Sequence, residues 1–312
     1  MSSLSDQKIF IAGGSGMVGS ALKRKLKLAE VLDPSHSELD LSDREKTFDW
    51  FSDNKPSIVF LAAAKVGGIQ ANSREPVSFL LENLAIQNNV IEAAYDNGIK
   101  KLIFFGSACS YPKNAVQPIK ESSFFQGEPE KTNIWYATAK IAGIKLAQAF
   151  RKQHGFNAIS IMPSNLYGPN DNFTLENSHV LAALIRKFND AKENNTESIT
   201  LWGDGSPYRE FLHVHDLAEA AVFCMQEYDK GEIINIGTGE DIQIKSLSSL
   251  ISDIVGYNGK VLWDKTRPNG THRKLLDTTK ISSLGWKPKI SLKDGIEDTY
   301  KWFINNIEKV KL

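Results

Sequence analysis

What most constrains this chain is a rhythm in its first half, where short apolar, β-rich runs alternate with stretches of helical periodicity. KIFIAGG, SIVFLAAA, KKLIFFGS and NAISIMP are of strand length. The nearly unbroken apolar character of SIVFLAAA is expected of a strand covered on both faces. Between these runs, MVGSALKRKLKLAE, EPVSFLLENLAIQNNVIEAAYDNG and WYATAKIAGIKL space their apolar residues as helices do. A weaker strand is expected around Glu30 to Leu32. Strand and helix in alternation predict an α/β fold built on a doubly wound parallel sheet. Beyond NAISIMPSNLYGPND, expected to be a strand that breaks at Pro169, the rhythm loosens through LWGDGSPYREFLHVHDLAEAAVFC to the terminus. We therefore expect a dinucleotide-binding domain over residues 1–170, with some later segments returning to it, and a smaller C-terminal α/β substrate domain over 171–312.

The first strand ends in glycines and a helix follows at once. Gly13, Gly16 and Gly19 spell GxxGxxG, in which small residues permit a tight turn, close approach of backbone to a pyrophosphate and close packing of helix on strand. The phosphates would sit at the helix N-terminus, where free N–H groups favour negative charge. This is the Rossmann context. Asp33, after the second strand, is placed to bond a ribose 2′-hydroxyl and points to NAD(H); no arginine follows it, but His36 and nearby serines could surround a 2′-phosphate. Asp40 and Leu41 are candidates for the adenine edge, with a helix N-cap as an equal reading for Asp40 or Ser42.

At the other end of this domain, KKLIFFGS delivers Ser107 to a carboxyl edge of the sheet, where open α/β folds hold their ligands. Tyr136 and Lys140 lie four apart on the following helix and so leave one face of it. A tyrosine hydroxyl ordinarily ionises at about 10, and a neighbouring ammonium is expected to lower that value and make a general acid and base of it. A YxxxK pair alone is as easily a chance pair. The glycine turn in the same domain gives it meaning.

Composition removes other classes. Lysine plus arginine and aspartate plus glutamate each number 37, so no basic field points to nucleic acid or a membrane surface. No apolar run approaches the roughly 18 residues of a spanning helix. Cys109 and Cys224 are the only cysteines and lack metal-ligand spacing, which points to a reducing compartment; with no leader-like N-terminus, the expectation is cytoplasmic. His213 and His215 flank Val214 like a metal pair but fit a turn before a helix, and no metal is expected.

The assembled stretches AGGSGMVGSA, LAAAKVGGIQAN, GSACSYP, YATAKIAGIKL, MPSNLYGPNDNF, NSHV, LWGDGSPYREFLHVHDLA, INIGTGE and RKLLD span nearly the whole chain. Together they resemble the extended short-chain dehydrogenase/reductase family and, within it, the GDP-L-fucose synthases. That resemblance implies C3/C5 epimerisation of GDP-4-keto-6-deoxy-D-mannose, or of a related GDP-4-keto sugar, followed by reduction at C4. It assigns proton exchange at the carbons flanking the ketone to Cys109 and His179; we take the Cys109 thiolate as base and the His179 imidazole as acid, with the reverse assignment, or a different one at C3 and C5, equally open. Taken singly, Cys109 would read as a small buried hydrophobe and His179 as a satisfied histidine in the first turn of a helix starting at Ser178. Ser107, Tyr136 and Lys140 would serve the reduction. For the cofactor the resemblance favours NADP(H), with NAD(H) left open. It implies a binding set that adds Met17, Val18, Ala63, Pro163, Asn165, Leu166, His179 and Lys140 to the residues above. Asn165, Lys187, Trp202, Arg209 and Asp277 are the implied contacts to the GDP-sugar, and the partner it implies is a second copy, as a homodimer. Asn165 and Tyr167 read equally well as turn residues, and Trp202 as core.

Overall fold

Where the sequence alternates, the chain winds. The computed structural model describes residues 6–174, 178–267, 269–308 and 310. In order, β1 (Lys8–Ala12), α1 (Met17–Lys25), β2 (Glu30–Leu32), α2 (Arg44–Asn54), β3 (Ile58–Leu61), α3 (Ile69–Arg74), α4 (Pro76–Asp96), β4 (Lys101–Phe105), α5 (Ile134–His154) and β5 (Ala158–Pro163) make the first half. The second contains β6 (Asn165–Tyr167), α6 (Val180–Glu193), β7 (Ser198–Trp202), β8 (Tyr208–Arg209), β9 (Phe211–His213), α7 (Val214–Glu227), β10 (Ile234–Ile236), β11 (Ile242–Gln243), α8 (Ile244–Val255), β12 (Lys260–Asp264), β13 (Arg273–Lys274), α9 (Thr279–Ser283) and α10 (Leu292–Asn305).

Six parallel strands form the main sheet in the order β10-β5-β4-β3-β1-β2. The expected doubly wound sheet is the one found. The chain passes from β1 out to β2, then returns to β3 on the other side of β1. That reversal opens a crevice at the carboxyl ends of β1 and β3, the usual ligand position in such sheets. β3, β4 and β5 are buried at every residue, as their unbroken apolar runs required.

One apolar layer lies between the sheet and α1 with α7, around Leu22, Leu217 and Ala221. The opposite layer lies under α2, α4 and α5, around Phe51, Val90 and Ile144. A third cluster joins α6, α8 and α10 around Phe188, Ile251 and Phe303, beside the parallel pair β7 and β12. β8 lies between antiparallel β11 and parallel β13.

The strand expected to break at Pro169 leaves the sheet earlier. Pro163 has no amide to continue a ladder; the Ser164 amide makes a last bond to the Ile236 carbonyl at 3.0 Å, and β6 then pairs with β9 instead. Tyr167 is buried in the third cluster against Phe211 and Gly295, so its place is in the core. Asn177, within the NSHV stretch, lies outside the described residues.

Candidate active site

β4 runs to Phe105, and Gly106 carries the chain past β5 where there is no room for a side chain: a Cβ there would lie 2.5 Å from Met162 Sδ. Ser107 follows in extended conformation and caps a short 3₁₀ turn, Ala108–Ser110, its Oγ accepting the Cys109 amide at 3.2 Å. The strand end therefore delivers a hydroxyl and, two residues on, a thiol. α5 lies close over β4 because Gly143 faces it, with no space for a Cβ beside Phe104 and Gln87, and Gln87 donates to the Ala139 carbonyl at 2.7 Å.

That packing brings Tyr136 and Lys140 over the strand end. Lys140 is buried, its Nζ donating to the Phe105 carbonyl at 2.8 Å and lying 5.8 Å from the Tyr136 ring centroid. Burial pushes its ammonium down to about 7. The Tyr136 phenol is driven above its ordinary value by burial first and by the nearby Cys109 charge second, against a hydrogen bond with Ser107. This corrects the expectation that Lys140 lowers Tyr136. The ammonium is itself desolvated and turned to a backbone carbonyl, so burial outweighs it and the phenol keeps its proton at neutral pH. Ser107, Cys109, Tyr136 and Lys140 form one cluster.

The two cysteines part company. Cys109 is partly exposed, whereas Cys224 is buried with its thiol pushed up to about 12. Lys274, at the end of β13, reaches within 4.0 Å of Cys109 Sγ. Arg209, across the β8–β13 pairing from Lys274, also feels the Cys109 charge, while burial depresses its guanidinium.

His179 is the N-cap of α6 and precedes its first turn: its backbone is extended, and its carbonyl accepts the first helical bond, from the Ala183 amide at 2.9 Å. Its side chain is open to solvent but hemmed in by protein, and that desolvation holds the imidazole below its usual range. Among the described residues it has no hydrogen-bond partner, so it does not join the cluster through a bond.

Lys187 and Trp202 meet across α6 and β7, with the ammonium 5.9 Å from the indole centroid and Arg267 at 5.1 Å. Trp202 is 48% exposed, so it is not a core tryptophan. Asp277 is bonded to Thr279, whose side chain first and amide second, the latter donating to Oδ1 at 2.9 Å, hold the carboxyl below its usual value. Glu210, which the sequence reading passed over, is fully buried and accepts the amides of Gly239 and Leu276 at 2.8 and 2.9 Å. It ties β8 to the segments after β10 and β13 and so fixes the strands that carry Arg209 and Lys274. Burial raises its carboxyl to about 7.

At the crevice, Gly13 has a φ of +85°, and a Cβ there would lie 2.9 Å from the Ala63 backbone. A Cβ on Gly19 would lie 2.1 Å from the Gly13 carbonyl oxygen. At Gly16 the only atom near such a Cβ is that same oxygen, at 3.5 Å. α1 opens on Gly16 with no capping side chain and no acidic residue in its first turn, leaving the amides of Met17 and Val18 open to an anion. A tight turn with a bare helix N-terminus fits a dinucleotide pyrophosphate. Asp40 accepts the amide and hydroxyl of Ser42 at 2.9 and 2.7 Å, but neither caps α2, whose N-cap is Asp43, accepting the Lys46 amide at 3.1 Å; Leu41 is buried with its carbonyl on Asn89. Pro163 closes β5; Asn165 donates to the Glu210 carbonyl at 2.7 Å; Leu166 packs on the first apolar layer.

His213, His215 and Asp298 offer donor atoms within 4.8 Å of one another. Arg24 Nε donates to His215 Nε2 at 3.1 Å, and His213 caps α7 through the His215 amide.

Residues 9–237, from β1 to the residue after β10, match the family model described as NAD dependent epimerase/dehydratase. The chain belongs to that family. Among similar members of this epimerase/dehydratase family, GDP-L-fucose synthase 1 from Arabidopsis thaliana is 54% identical over 312 residues, covering 98% of this chain and 97% of its own. A GDP-6-OMe-4-keto-L-xylo-heptose reductase from C. jejuni superimposes with a TM-score of 0.91 at 38% identity, over 97% of this chain and 99% of that one. A GDP-L-fucose synthetase from Naegleria fowleri, bound to NADP, gives a TM-score of 0.90 at 29% identity over 98% and 97%. The resemblance to GDP-L-fucose synthases thus holds over nearly the whole length.

Proposed function

We propose that the chain is an NADPH-dependent epimerase and reductase that converts GDP-4-keto-6-deoxy-D-mannose to GDP-L-fucose. The observation that carries this is the partly exposed Cys109 thiol beside Ser107 and Tyr136 at one strand end. A 4-epimerase that borrows and returns its hydride needs Ser107, Tyr136 and Lys140 but has no use for that thiol or for His179.

Carbon–hydrogen bonds beside the C4 ketone are acidified by the carbonyl. Cys109 as thiolate takes such a proton, and the electron pair moves onto the carbonyl oxygen, where the Ser107 and Tyr136 hydroxyls stabilise it. His179 returns a proton on the opposite face. Desolvation disfavours the charged imidazole, so the proton that His179 hands on is weakly held. The cofactor would be held by Gly13, Gly16, Met17, Val18 and Gly19, with Lys140 at its nicotinamide end; NADPH bound there supplies the hydride that reaches C4. Tyr136 delivers the proton to the C4 oxygen, and its raised affinity keeps that proton available. Arg209 and Lys187 suit a diphosphate, and Trp202 offers an open ring to the nucleotide.

The two reactions share one pocket, so the ketone is not released between them. In this reading residues 1–170 bind the dinucleotide and the smaller C-terminal part binds the GDP-sugar, a reading supported by the separate apolar cluster around Phe188, Ile251 and Phe303. We assign the chain to the cytoplasm on its two free thiols; no helix among the described residues is long and apolar enough to cross a membrane. It acts as a homodimer through the long helices α4 and α5, a reading supported by Val77 and Leu81, 66% and 60% exposed one turn apart on α4.

The test is turnover of GDP-4-keto-6-deoxy-D-mannose against a GDP-4-keto-heptose with NADPH, the products identified by NMR. A higher kcat/KM for the hexose yielding GDP-L-fucose supports the reading; turnover of the heptose alone overturns it.

A further inference from the structure

The family's cofactor reading leaves one part of the nucleotide crevice unexplained, the end that meets the adenosine ribose. Asp33 follows β2 directly and presses on the glycine turn: a Cβ on Gly14 would lie 2.4 Å from Asp33 Cβ and 3.0 Å from its Oδ2. A carboxylate at this place in the fold accepts hydrogen bonds from a free ribose 2′-hydroxyl and repels a 2′-phosphate, for which an arginine is the usual partner. No arginine occurs from Pro34 to Leu39, and the glycine turn offers Ser15. Ser35 is already engaged, its amide and hydroxyl both donating to Glu38 Oε2 at 2.7 Å. His36 lies 3.9 Å from Asp40, so a further carboxylate competes for it.

A cation stands at the spot. Lys23, on the last turn of α1, places Nζ 2.5 Å from Asp33 Oδ2, and both side chains are partly open to solvent. We propose that the Lys23–Asp33 pair makes the adenosine end accept either cofactor, Lys23 turning to the 2′-phosphate of NADPH and Asp33 accepting the free ribose hydroxyl of NADH. The inference rests on the cofactor site of the preceding section and concerns only its selectivity. When NADH binds, Asp33 keeps Lys23 and gains the hydroxyl. When NADPH binds, Lys23 is drawn from Asp33 toward a dianion, and the uncovered carboxylate, together with Glu38, opposes the phosphate. The two balances offset each other, so neither cofactor is excluded.

The experiment is a titration of the full chain with NADPH and with NADH, without sugar substrate, by calorimetry or reduced-nicotinamide fluorescence. The two Kd values are expected to lie within about tenfold of one another. Lys23→Met should weaken NADPH by about tenfold or more while changing NADH less than about threefold; Asp33→Ala should weaken NADH and leave NADPH equal or tighter. The ratio of the two constants on each variant is independent of how much of it is folded. Wild-type binding of NADPH with NADH more than about a hundredfold weaker would overturn dual use and leave the cofactor site standing. An unchanged ratio in Lys23→Met would likewise overturn it. Binding of neither cofactor would remove the site itself and the proposal with it.

Discussion

Lys274 Nζ lies 4.0 Å from Cys109 Sγ, so the thiol proposed to deprotonate carbon has an ammonium beside it. Arg273, its neighbour in β13, is bound to Asp241, whereas Lys274 has no carboxylate among the described residues. Lys274→Met removes the ammonium beside the sulfur and should slow alkylation of Cys109 by iodoacetamide at pH 7 about tenfold, with Lys274→Arg restoring most of the rate. An unchanged rate would mean that Lys274 serves the substrate rather than the thiol.

The two chemistries should separate by residue. Tyr136→Phe is expected to cut reduction at C4 by about a hundredfold or more while solvent deuterium still enters C3 or C5, and Cys109→Ser to remove that exchange. Product isotope analysis beside cofactor oxidation reads both. Equal loss of both activities in both folded variants would contradict the division.

Buried Lys140 gives the chain a pH-dependent stability of known sign. Its ammonium falls from 10.5 to about 7 on folding. Below pH 7 it is protonated in both states, and the folded state carries the full cost of burying the charge. Between about 7 and 10.5 the unfolded chain binds more protons, so stability rises with pH and the cost disappears. Urea unfolding should therefore show Lys140→Met gaining on the wild type at pH 6, with the gap shrinking by on the order of 4 kcal/mol toward pH 10.

The glycine turn should answer position by position. Gly19→Ala sets a methyl 2.1 Å from the Gly13 carbonyl oxygen and should lower thermal stability by several degrees while abolishing cofactor binding. Gly16→Ala meets that oxygen at 3.5 Å and should fold normally, yet bind the dinucleotide more weakly because the methyl enters the phosphate space. Thermal melts with and without NADPH distinguish the two.

If α4 pairs the subunits, Leu81→Glu buries a charge in the interface. Sedimentation at micromolar concentration should show the wild type as a dimer and this variant as a monomer. A wild-type monomer would remove the dimer.

Much of this was legible in the sequence because it is local. Alternating apolar runs place β1, β3, β4 and β5; the four-residue spacing places Tyr136 over Lys140; the glycine spacing places the turn. What was not legible depends on segments far apart in the chain. RKLLD could be quoted as a string, but only the parallel pairing of β13 with β8 carries Lys274 to Cys109. The state of Tyr136 was misjudged because its distance to an ammonium is a sequence inference while its burial is not. The start of α6 was set two residues early, at Ser178 rather than Val180, since nothing local says that the His179 backbone is extended. Lys23 carries no motif at all and acquires meaning only from its contact with Asp33.

The most direct test of the central claim is one reaction of wild-type protein with NADPH and GDP-4-keto-6-deoxy-D-mannose in deuterated water, with the product's carbons read by NMR. Deuterium at both C3 and C5 of a reduced GDP-L-fucose product is the predicted result. Cofactor oxidation with protium retained at both carbons would contradict it and leave a C4 reductase.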